Sequence, residues 1–423
     1  MEGEITQDIT LTVENGVEIG GVIKEDMTLY PNVHYIVTKN IAVPEGVTLT
    51  IKPGTKLEFK NTYFENKGTI NAVGKPDSLI VLEGIGSNVS IGFASLDLSD
   101  FCYTILKKSN IYYLFSQNHD NIITDNIIYY FENNSHIANC NFIYNKIHVT
   151  PNSICTLSSC NLIDNIRYGG VYTVYLKDIK SSNILNGENG LSDTYIDEGP
   201  KVFTTDAPNY FGSAKEATVR KGIFDVYNGF GTTEYDLSNM LTRPNADAHG
   251  IVWKVVVDGY DAQDEFDMLP PLGVGKHKFE VYFNRPMRTN VTPMVAMGVR
   301  MPYTQIPIAE EGTWSADSLI YTAYLTITGK TGADGLNRIY VDGAKDNEGF
   351  DIPIENTRFN VNVQAAGSLS TGFMGEAGLG KVTLSWNDVQ NSFDDFLGYN
   401  LYRYTDKGDT IKVNKQLLDN ETL

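Results

Sequence analysis

Short segments in which apolar and polar residues alternate dominate the first part of the chain. Residues 47–51 read Val-Thr-Leu-Thr-Ile, and residues 56–59 read Lys-Leu-Glu-Phe. The pair Pro53-Gly54 separates them, and similar turn signals recur about every ten residues. A period of two indicates strands with one buried face, and no convincing period of 3.6 occurs before residue 210. The pattern predicts an all-β fold.

A repeat with a spacing of 20 residues runs through the middle of the chain. Its copies begin at Asn121, Asn141 and Asn161, and each begins with Asn followed by two apolar residues. Cys140 and Cys160 occupy the preceding position in the second and third copies. A short fixed period built from strands is typical of a solenoid, whose coils stack to share one core. We expect the three asparagines to form a structural ladder, with each side-chain amide bonding the next.

The repeat resembles a right-handed parallel β-helix. Residues 43–55 look like the first coils of many secreted bacterial β-helices, and residues 209–212 look like part of their closing segment. The resemblance implies a β-helix over residues 28–245, preceded by an N-terminal lead-in or cap over residues 1–27.

The pattern changes after Pro244. Further strands are predicted, among them residues 251–257, 278–287, 321–328, 338–341 and 358–363. Several strands within about 120 residues suggest a β-sandwich. The turn at Pro286-Met287 and the loop Ala-Lys-Asp-Asn-Glu-Gly over residues 344–349 resemble the S-layer-type bacterial Ig-like domain. This resemblance implies an Ig-like β-sandwich over residues 246–366.

The C-terminal segment is predicted as a linker followed by an incomplete domain. Residues 367–378 are rich in small residues and are interpreted as a linker. Residues 381–386 and 397–403 look like two strands of a fibronectin type III domain. Residues 379–423 are too few for that domain, so we expect it to be truncated. Either the chain is a fragment or a partner chain supplies the missing strands.

Charge excludes some classes of partner. Lys plus Arg number 33 and Asp plus Glu number 52, which gives a formal net charge of −19. Such a chain is repelled by nucleic acid and by anionic membrane surfaces. No apolar run is long enough to span a membrane, so no membrane insertion is expected.

The beginning of the sequence and its cysteines bear on location. Met1 to Glu4 lack the basic start of a signal peptide, so the protein is either cytosolic or has lost its signal. The four cysteines lack metal-binding spacing and are interpreted as buried thiols. The resemblance to secreted β-helices favours an extracellular or cell-surface location, with the signal peptide removed.

A cluster of acidic residues offers one candidate metal site. Carboxylates within ten residues suit Ca²⁺, which takes six to eight oxygen ligands. The alternative is a solvated acidic loop, because the order of residues does not match an EF-hand. We expect no other cofactor. The candidate calcium ligands are Asp258, Asp261, Asp264 and Asp267.

Tyrosines crowd the nearly neutral middle of the chain. Neighbouring strand residues point to opposite faces, so each tyrosine pair turns one ring outward. Outward rings at coil spacing suit sugars or a protein surface, whereas ordinary core and edge packing is the alternative. The candidate ligand-binding residues are Tyr112, Tyr113, Tyr129, Tyr130 and Tyr144.

The order of the predicted domains resembles secreted surface proteins of Bacteroidota. We therefore expect a non-catalytic binding or adhesion protein with a glycan or a surface protein as its partner. One alternative is a β-helix polysaccharide lyase or glycoside hydrolase, which needs clustered acids and bases. The predicted coils show no dense cluster of this kind, so no catalytic residue is assigned. Another alternative is a structural component of a surface layer or fibre.

Overall fold

The fold is known from a computed structural model. The residues that the structure describes are 16–60, 62–85, 90–92, 100–112, 117–124, 126–128, 135–147, 155–163, 166–167, 179–185, 208–221, 237–329, 331–365, 374–386, 398–404 and 410–418. No helix among them is long and apolar enough to cross a membrane.

The chain forms two compact units. The first contains Met1–Ala214 and Val219–Ala248, and the second contains Lys215–Thr218 and His249–Leu423. The main division therefore follows Ala248, three residues after the expected end of the β-helix.

The first unit is a parallel β-helix, as predicted. Its larger sheet has 15 strands. They are β1 Val17–Val22, β3 His34–Val43, β5 Lys56–Lys60, β6 Tyr63–Asn66, β8 Ile80–Ile85, β9 Ser90–Gly92, β11 Thr104–Lys107, β12 Asn110–Tyr112, β14 Ile122–Thr124, β15 Ile127–Ile128, β17 Asn141–Ile143, β18 Lys146–Ile147, β20 Asn161–Ile163, β21 Ile166–Arg167 and β23 Asn183–Leu185.

A second parallel sheet of eight strands completes the coils. It consists of β2 Met27–Leu29, β4 Thr48–Ile51, β7 Thr69–Val73, β10 Asp100–Cys102, β13 Gln117–His119, β16 Ser135–Ala138, β19 Cys155–Ser158 and β22 Ile179–Lys180. Successive coils add one strand at a time to each face, as in the order β5, β8, β11 and β14.

The alternation of residues builds one core along the β-helix. Leu57 pairs with Leu82, and the stack continues through Leu106, Ile123 and Phe142, all of which are buried in the same cluster. In-register apolar side chains on parallel strands lie about 4.8 Å apart, so they pack continuously.

Segments after the last β-helix strand contribute to the same core. Tyr210 is buried and forms a parallel bridge to Asn183. Helix α1, Glu216–Lys221, adds Val219, and Leu237 lies in the same cluster.

The second unit contains two antiparallel sheets. One consists of β24 Val252–Val257, β25 Tyr260–Asp261, β26 Gly275–Phe283, β29 Glu310–Trp314 and β30 Ile320–Ile327. The other consists of β27 Met294–Gly298, β28 Ile306–Pro307, β31 Gly335–Asp342 and β32 Asn360–Val363. A short 3₁₀ helix spans Phe266–Met268.

Both antiparallel sheets contribute to one core. Phe279 and Val281 from the first sheet and Val295 and Ile339 from the second lie in the same buried cluster. This arrangement is sandwich-like. The fold-class prediction, a parallel β-helix followed by antiparallel β-structure, is confirmed.

The end of the predicted linker is a strand. Two hairpins follow the sandwich-like sheets, formed by β33 Met374–Gly378 with β34 Lys381–Ser385 and by β35 Tyr402–Tyr404 with β36 Thr410–Lys412. Residues 374–378 were expected to be linker because small residues are common there. The two-residue turn explains the difference, since Gly380 adopts a φ of +71° that lets β34 fold back.

Candidate functional site

Most of the predicted tyrosine platform lies outside the described residues, namely Tyr113, Tyr129 and Tyr130. Tyr112 ends β12, where only its backbone is described. Tyr144 is 39% exposed and has a φ of +53°, which places it in the turn after β17. Of this group, the structure gives an exposed side chain for Tyr144 alone.

The predicted calcium ligands are engaged by different partners. One oxygen of Asp258 lies 2.6 Å from Nδ1 of His277, and the other accepts the backbone N–H of Lys278. Asp261 accepts the backbone N–H of Gln263 and lies 3.5 Å from the ammonium of Lys254. These two carboxylates therefore hold local turns and strands together.

The remaining members of that acidic cluster differ in exposure. Asp264 is half-buried, and Asp267 is exposed in the 3₁₀ helix. Within residues 258–267, which are all described, no three carboxylates come close enough to share one ion. The described contacts of Asp258 and Asp261 are with backbone N–H groups and basic side chains, and calcium binding by this cluster stays a prediction.

A ladder of buried asparagines runs along the β-helix. Nδ2 of Asn161 donates to Oδ1 of Asn141 at 2.7 Å, and Nδ2 of Asn183 donates to Oδ1 of Asn161 at 2.8 Å. The backbone N–H of Asn245 donates to Oδ1 of Asn183 at 2.7 Å and so completes one end. Asn141, Asn161 and Asn183 are fully buried, so their hydrogen bonds stabilise the stacking of coils.

The strand register moves Asn121 out of this ladder. Ile122 pairs with Asn141, so Asn121 lies in the row of Cys140 and Cys160. Asn121 accepts the backbone N–H of Thr104 instead, at 2.8 Å. Pairing Asn121 with Asn141 would slip the strand by one residue and turn Ile123 out of the core.

Two further asparagines, not identified from the sequence, stack at another corner. Oδ1 of Asn145 accepts the backbone N–H of Asn126, and Oδ1 of Asn126 accepts that of Ser109. Their amides donate to backbone carbonyls of earlier coils. Cys140 and Cys160 are buried free thiols, and burial, followed by the neighbouring Cys160 thiol, raises the pKa of Cys140. The asparagines Asn126 and Asn145 and the thiols of Cys140 and Cys160 therefore have a structural role.

Charged side chains lie together on the outer face of β5, β8 and β11. Glu58 pairs in register with Glu83, and Glu83 pairs with Lys107. On each strand, the residue preceding these side chains belongs to the core: Leu57, Leu82 and Leu106. Successive strand residues point to opposite faces, so Glu58, Glu83 and Lys107 are directed away from the core. We call this group the charged patch, and its members are His34, Lys56, Glu58, Glu83, Lys107 and Lys108.

Glu83 is the centre of the charged patch. The ammonium of Lys108 lies 2.8 Å from its Oε1, and those of Lys107 and Lys56 lie 3.2 Å and 3.5 Å from its Oε2. Lys56 also lies 2.5 Å from Oε1 of Glu58. One ammonium therefore links the two carboxylates.

The lysines keep both carboxylates ionised. Burial alone would raise the pKa of Glu83, but the hydrogen bonds and positive charges of Lys108 and Lys107 outweigh it and lower that pKa to about 2. The hydrogen bond from Lys56 lowers the pKa of Glu58, and the same bond raises the pKa of Lys56. At neutral pH the carboxylates are anionic and Lys56 is cationic.

The charged patch presents its cations to solvent. The side chains of Glu58 and Glu83 are 14% and 11% exposed, whereas those of Lys56 and Lys108 are 44% and 57% exposed. His34, whose Nε2 lies 3.0 Å from Glu58, is 47% exposed. Three lysines outnumber two glutamates, so this face carries local positive charge although the chain carries −19.

The sequence analysis did not identify the charged patch. Each glutamate is one polar residue on the outer side of an ordinary alternating strand. Glu58 and Glu83 are also further apart than the 20-residue repeat, so that repeat could not align them. The available signal was the charge at outward positions of residues 56–60 and 80–85.

A second charged cluster lies inside the second unit. Asp346 is fully buried, with one oxygen 3.1 Å from Nδ1 of His249 and the other accepting the backbone N–H of Phe350. Burial raises the pKa of Asp346, but its bonds to His249 and to the backbone outweigh this effect and lower it. Arg285 lies 3.6 Å from the same carboxylate. The hydrogen bonds of Asp346 hold the loop over residues 344–349 closed, which is a structural role.

Comparisons with protein families, with curated proteins and with solved structures found no match for this chain.

Proposed function

We propose that the chain is a non-catalytic binding protein, secreted or at a bacterial cell surface, which captures a glycan on the β-helix. The observation that carries this proposal is the charged patch, where exposed ammonium groups surround two less exposed carboxylates on an outer sheet face. Ammonium and carboxylate groups bond hydroxyl-rich ligands through several donors and acceptors at once.

The position of the charged patch favours a glycan over a peptide. Strands β5, β8 and β11 each have a neighbour on both sides, so their backbone groups are already bonded within the sheet. An extended peptide gains main-chain bonds only at a sheet edge. A ligand on this face contacts side chains alone, as a sugar chain can.

The ionisation of the charged patch argues against catalysis there. Glu58 and Glu83 are in register on adjacent strands, about 4.8 Å apart in the backbone, close to the carboxyl separation of retaining glycosidases. Those enzymes need one carboxyl group with a raised pKa as the acid. Both glutamates instead have lowered pKa values, and Lys56, with its raised pKa, is a poor base for a lyase.

The finer identity of the second unit belongs to the same proposal. Its two antiparallel sheets around one core support an Ig-like spacer, and its two C-terminal hairpins support a fibronectin-type segment. An adhesion protein of Bacteroidota with this order would use the β-helix for binding and the later domains as spacers.

The proposal is tested by size-exclusion chromatography of fluorescent plant and host polysaccharides after incubation with the chain. A shift of a polymer to larger size, reduced by Lys56→Ala and unchanged by Lys24→Ala, is the expected result. Lys24 is an exposed lysine of the same unit outside the charged patch, which makes it a matched control. A shift to smaller size would indicate cleavage, and no shift with any polymer would also overturn the proposal.

A further inference from the structure

We propose that the charged patch selects polysaccharides that carry repeated carboxylate groups. This inference rests on the proposed function and adds the chemical class of the ligand. It follows from the arrangement of cations and anions on the outer face of β5, β8 and β11.

The net charge of the charged patch is positive, whereas the net charge of the whole chain is −19. His34, Lys56, Lys107 and Lys108 surround Glu58 and Glu83, and every one of these four basic side chains is more exposed than either glutamate. A ligand approaching from solvent therefore meets donors first. Neutral sugars gain nothing from an excess of positive charge, whereas anionic sugars gain charge-assisted hydrogen bonds.

The two glutamates make the cations rigid. Lys56 is held between Glu58 and Glu83, and Lys107 and Lys108 are held on Glu83. A lysine held in place loses less conformational freedom on binding, which strengthens binding to a ligand of matching spacing. Each ammonium has three donors, so a lysine that bonds one carboxylate can also donate to a ligand.

The rows of the sheet suit a linear polymer. Lys56 pairs with Val81, whereas Lys107 pairs with Glu83, so the two lysines are two strands and two residues apart, about 12 Å in the backbone. Their ammonium groups converge on the same Oε2 of Glu83, at 3.5 Å and 3.2 Å. A stiff sugar chain with an acid group on successive residues could contact both. A disordered acidic peptide pays a larger ordering cost for the same contacts and gains no main-chain bonds here.

The experiment is affinity gel electrophoresis with three immobilised polymers, namely polygalacturonate, its fully methyl-esterified form and poly-L-glutamate. We expect strong retardation by polygalacturonate, at least tenfold weaker binding to the ester, and weaker binding to polyglutamate. The double variant Lys56→Gln/Lys107→Gln should weaken binding to polygalacturonate about tenfold or more, and Lys24→Gln should leave it unchanged. Binding should also weaken as salt is raised, because exposed charges are screened.

Glu58→Gln provides a test in the opposite direction. It removes one negative charge from the charged patch, while Glu83 still holds Lys56 in place, so binding to polygalacturonate should strengthen by about two- to fivefold. Unchanged or weaker binding would contradict selection by the excess of positive charge. Circular dichroism and thermal melting establish that each variant is folded before its binding is compared.

The possible failures are distinguishable. Equal binding to the acid polymer and its ester would overturn this inference while leaving glycan capture intact. Equal binding to polyglutamate and polygalacturonate would overturn the assignment of a sugar chain in favour of an acidic protein. Loss of binding to every polymer in both this experiment and the chromatography would overturn the proposed function itself.

Discussion

At the scale of single residues, Glu83 combines burial with three lysine partners. Its side chain is 11% exposed, yet its pKa is about 2 because Lys107 and Lys108 bond and stabilise the carboxylate. A buried anion of this kind is stable only while its cations remain in place.

We expect Glu83→Gln to lower the free energy of unfolding by roughly 1–3 kcal/mol at pH 7, since it leaves three lysines facing each other. A carboxyl group whose folded pKa is lowered stabilises the fold above its ordinary value of 4.5 and loses this effect as pH falls towards about 2. The difference between variant and parent should therefore shrink between pH 4.5 and 2. Urea unfolding of variant and parent over this pH range measures this difference, and the exposed Glu45→Gln is the control. A difference that does not depend on pH would contradict the lowered pKa of Glu83.

Asn161 is the central member of its ladder, because it donates to Asn141 and accepts from Asn183. Replacing it with leucine leaves Oδ1 of Asn141 without its donor in a buried site. We expect Asn161→Leu to lower the free energy of unfolding by about 2–4 kcal/mol. The exposed Asn71 of β7 is the matched control, and a similar loss for Asn71→Leu would show that the ladder adds nothing.

The ladder also shows how register limits what one residue can do. Asn141 has a buried Nδ2 for which no hydrogen-bond partner occurs in the described part of the chain. In the preceding coil, the residue in register with Asn141 is Ile122, which has no side-chain acceptor, so the ladder ends at Asn141. The repeat correctly brought Asn141 and Asn161 together, but the one-residue offset of Asn121 follows from keeping Ile123 in the core.

At the scale of elements, close packing between coils depends on Gly84 in β8. A Cβ atom at this position would lie 1.9 Å from the backbone oxygen of Lys108, so the two strands approach closely there. The same approach brings Lys108 beside Glu83. Local strand packing therefore builds the charged patch.

We expect Gly84→Ala to destabilise the β-helix by about 3 kcal/mol, because the backbone of Lys108 must move. It should also weaken any polysaccharide binding that depends on Lys108. Gly273→Ala is the control, since its Cβ would meet nothing closer than an oxygen 3.9 Å away. Thermal melting of both variants checks this, and equal stability would mean that the strands can relax apart.

At the scale of the whole molecule, each compact unit has its own apolar core. The β-helix core includes Leu57 and Phe142, and the sandwich-like core includes Phe279 and Ile339. Separate cores allow separate unfolding transitions.

We expect differential scanning calorimetry to show two transitions. Asn161→Leu should lower the temperature of one, and Asp346→Ala, which removes the buried partner of His249, should lower the temperature of the other. One transition that both variants shift equally would show instead that the chain unfolds as a single cooperative unit.

The sequence by itself determined the all-β class and the change of pattern after Pro244, because local alternation and turn residues act within a few residues of the chain. The 20-residue repeat indicated a solenoid, and the parallel β-helix was implied by the resemblance of that repeat to known β-helices. The pairing of Asn141 with Asn161 was also predicted, because the 20-residue spacing of the repeat equals the strand register between these two coils, whereas the register between the coils of Asn121 and Asn141 is 19 residues.

Only the tertiary structure decided which charged residues meet. Glu58, Glu83 and Lys107 are in register although the coils that carry them differ in length. The physical reason is that register is chosen by the buried faces, through pairs such as Leu57 with Leu82, while the length of the turns varies freely at the surface. The register that packs the core also determines which outward-facing residues are adjacent, and this brings the members of the charged patch together.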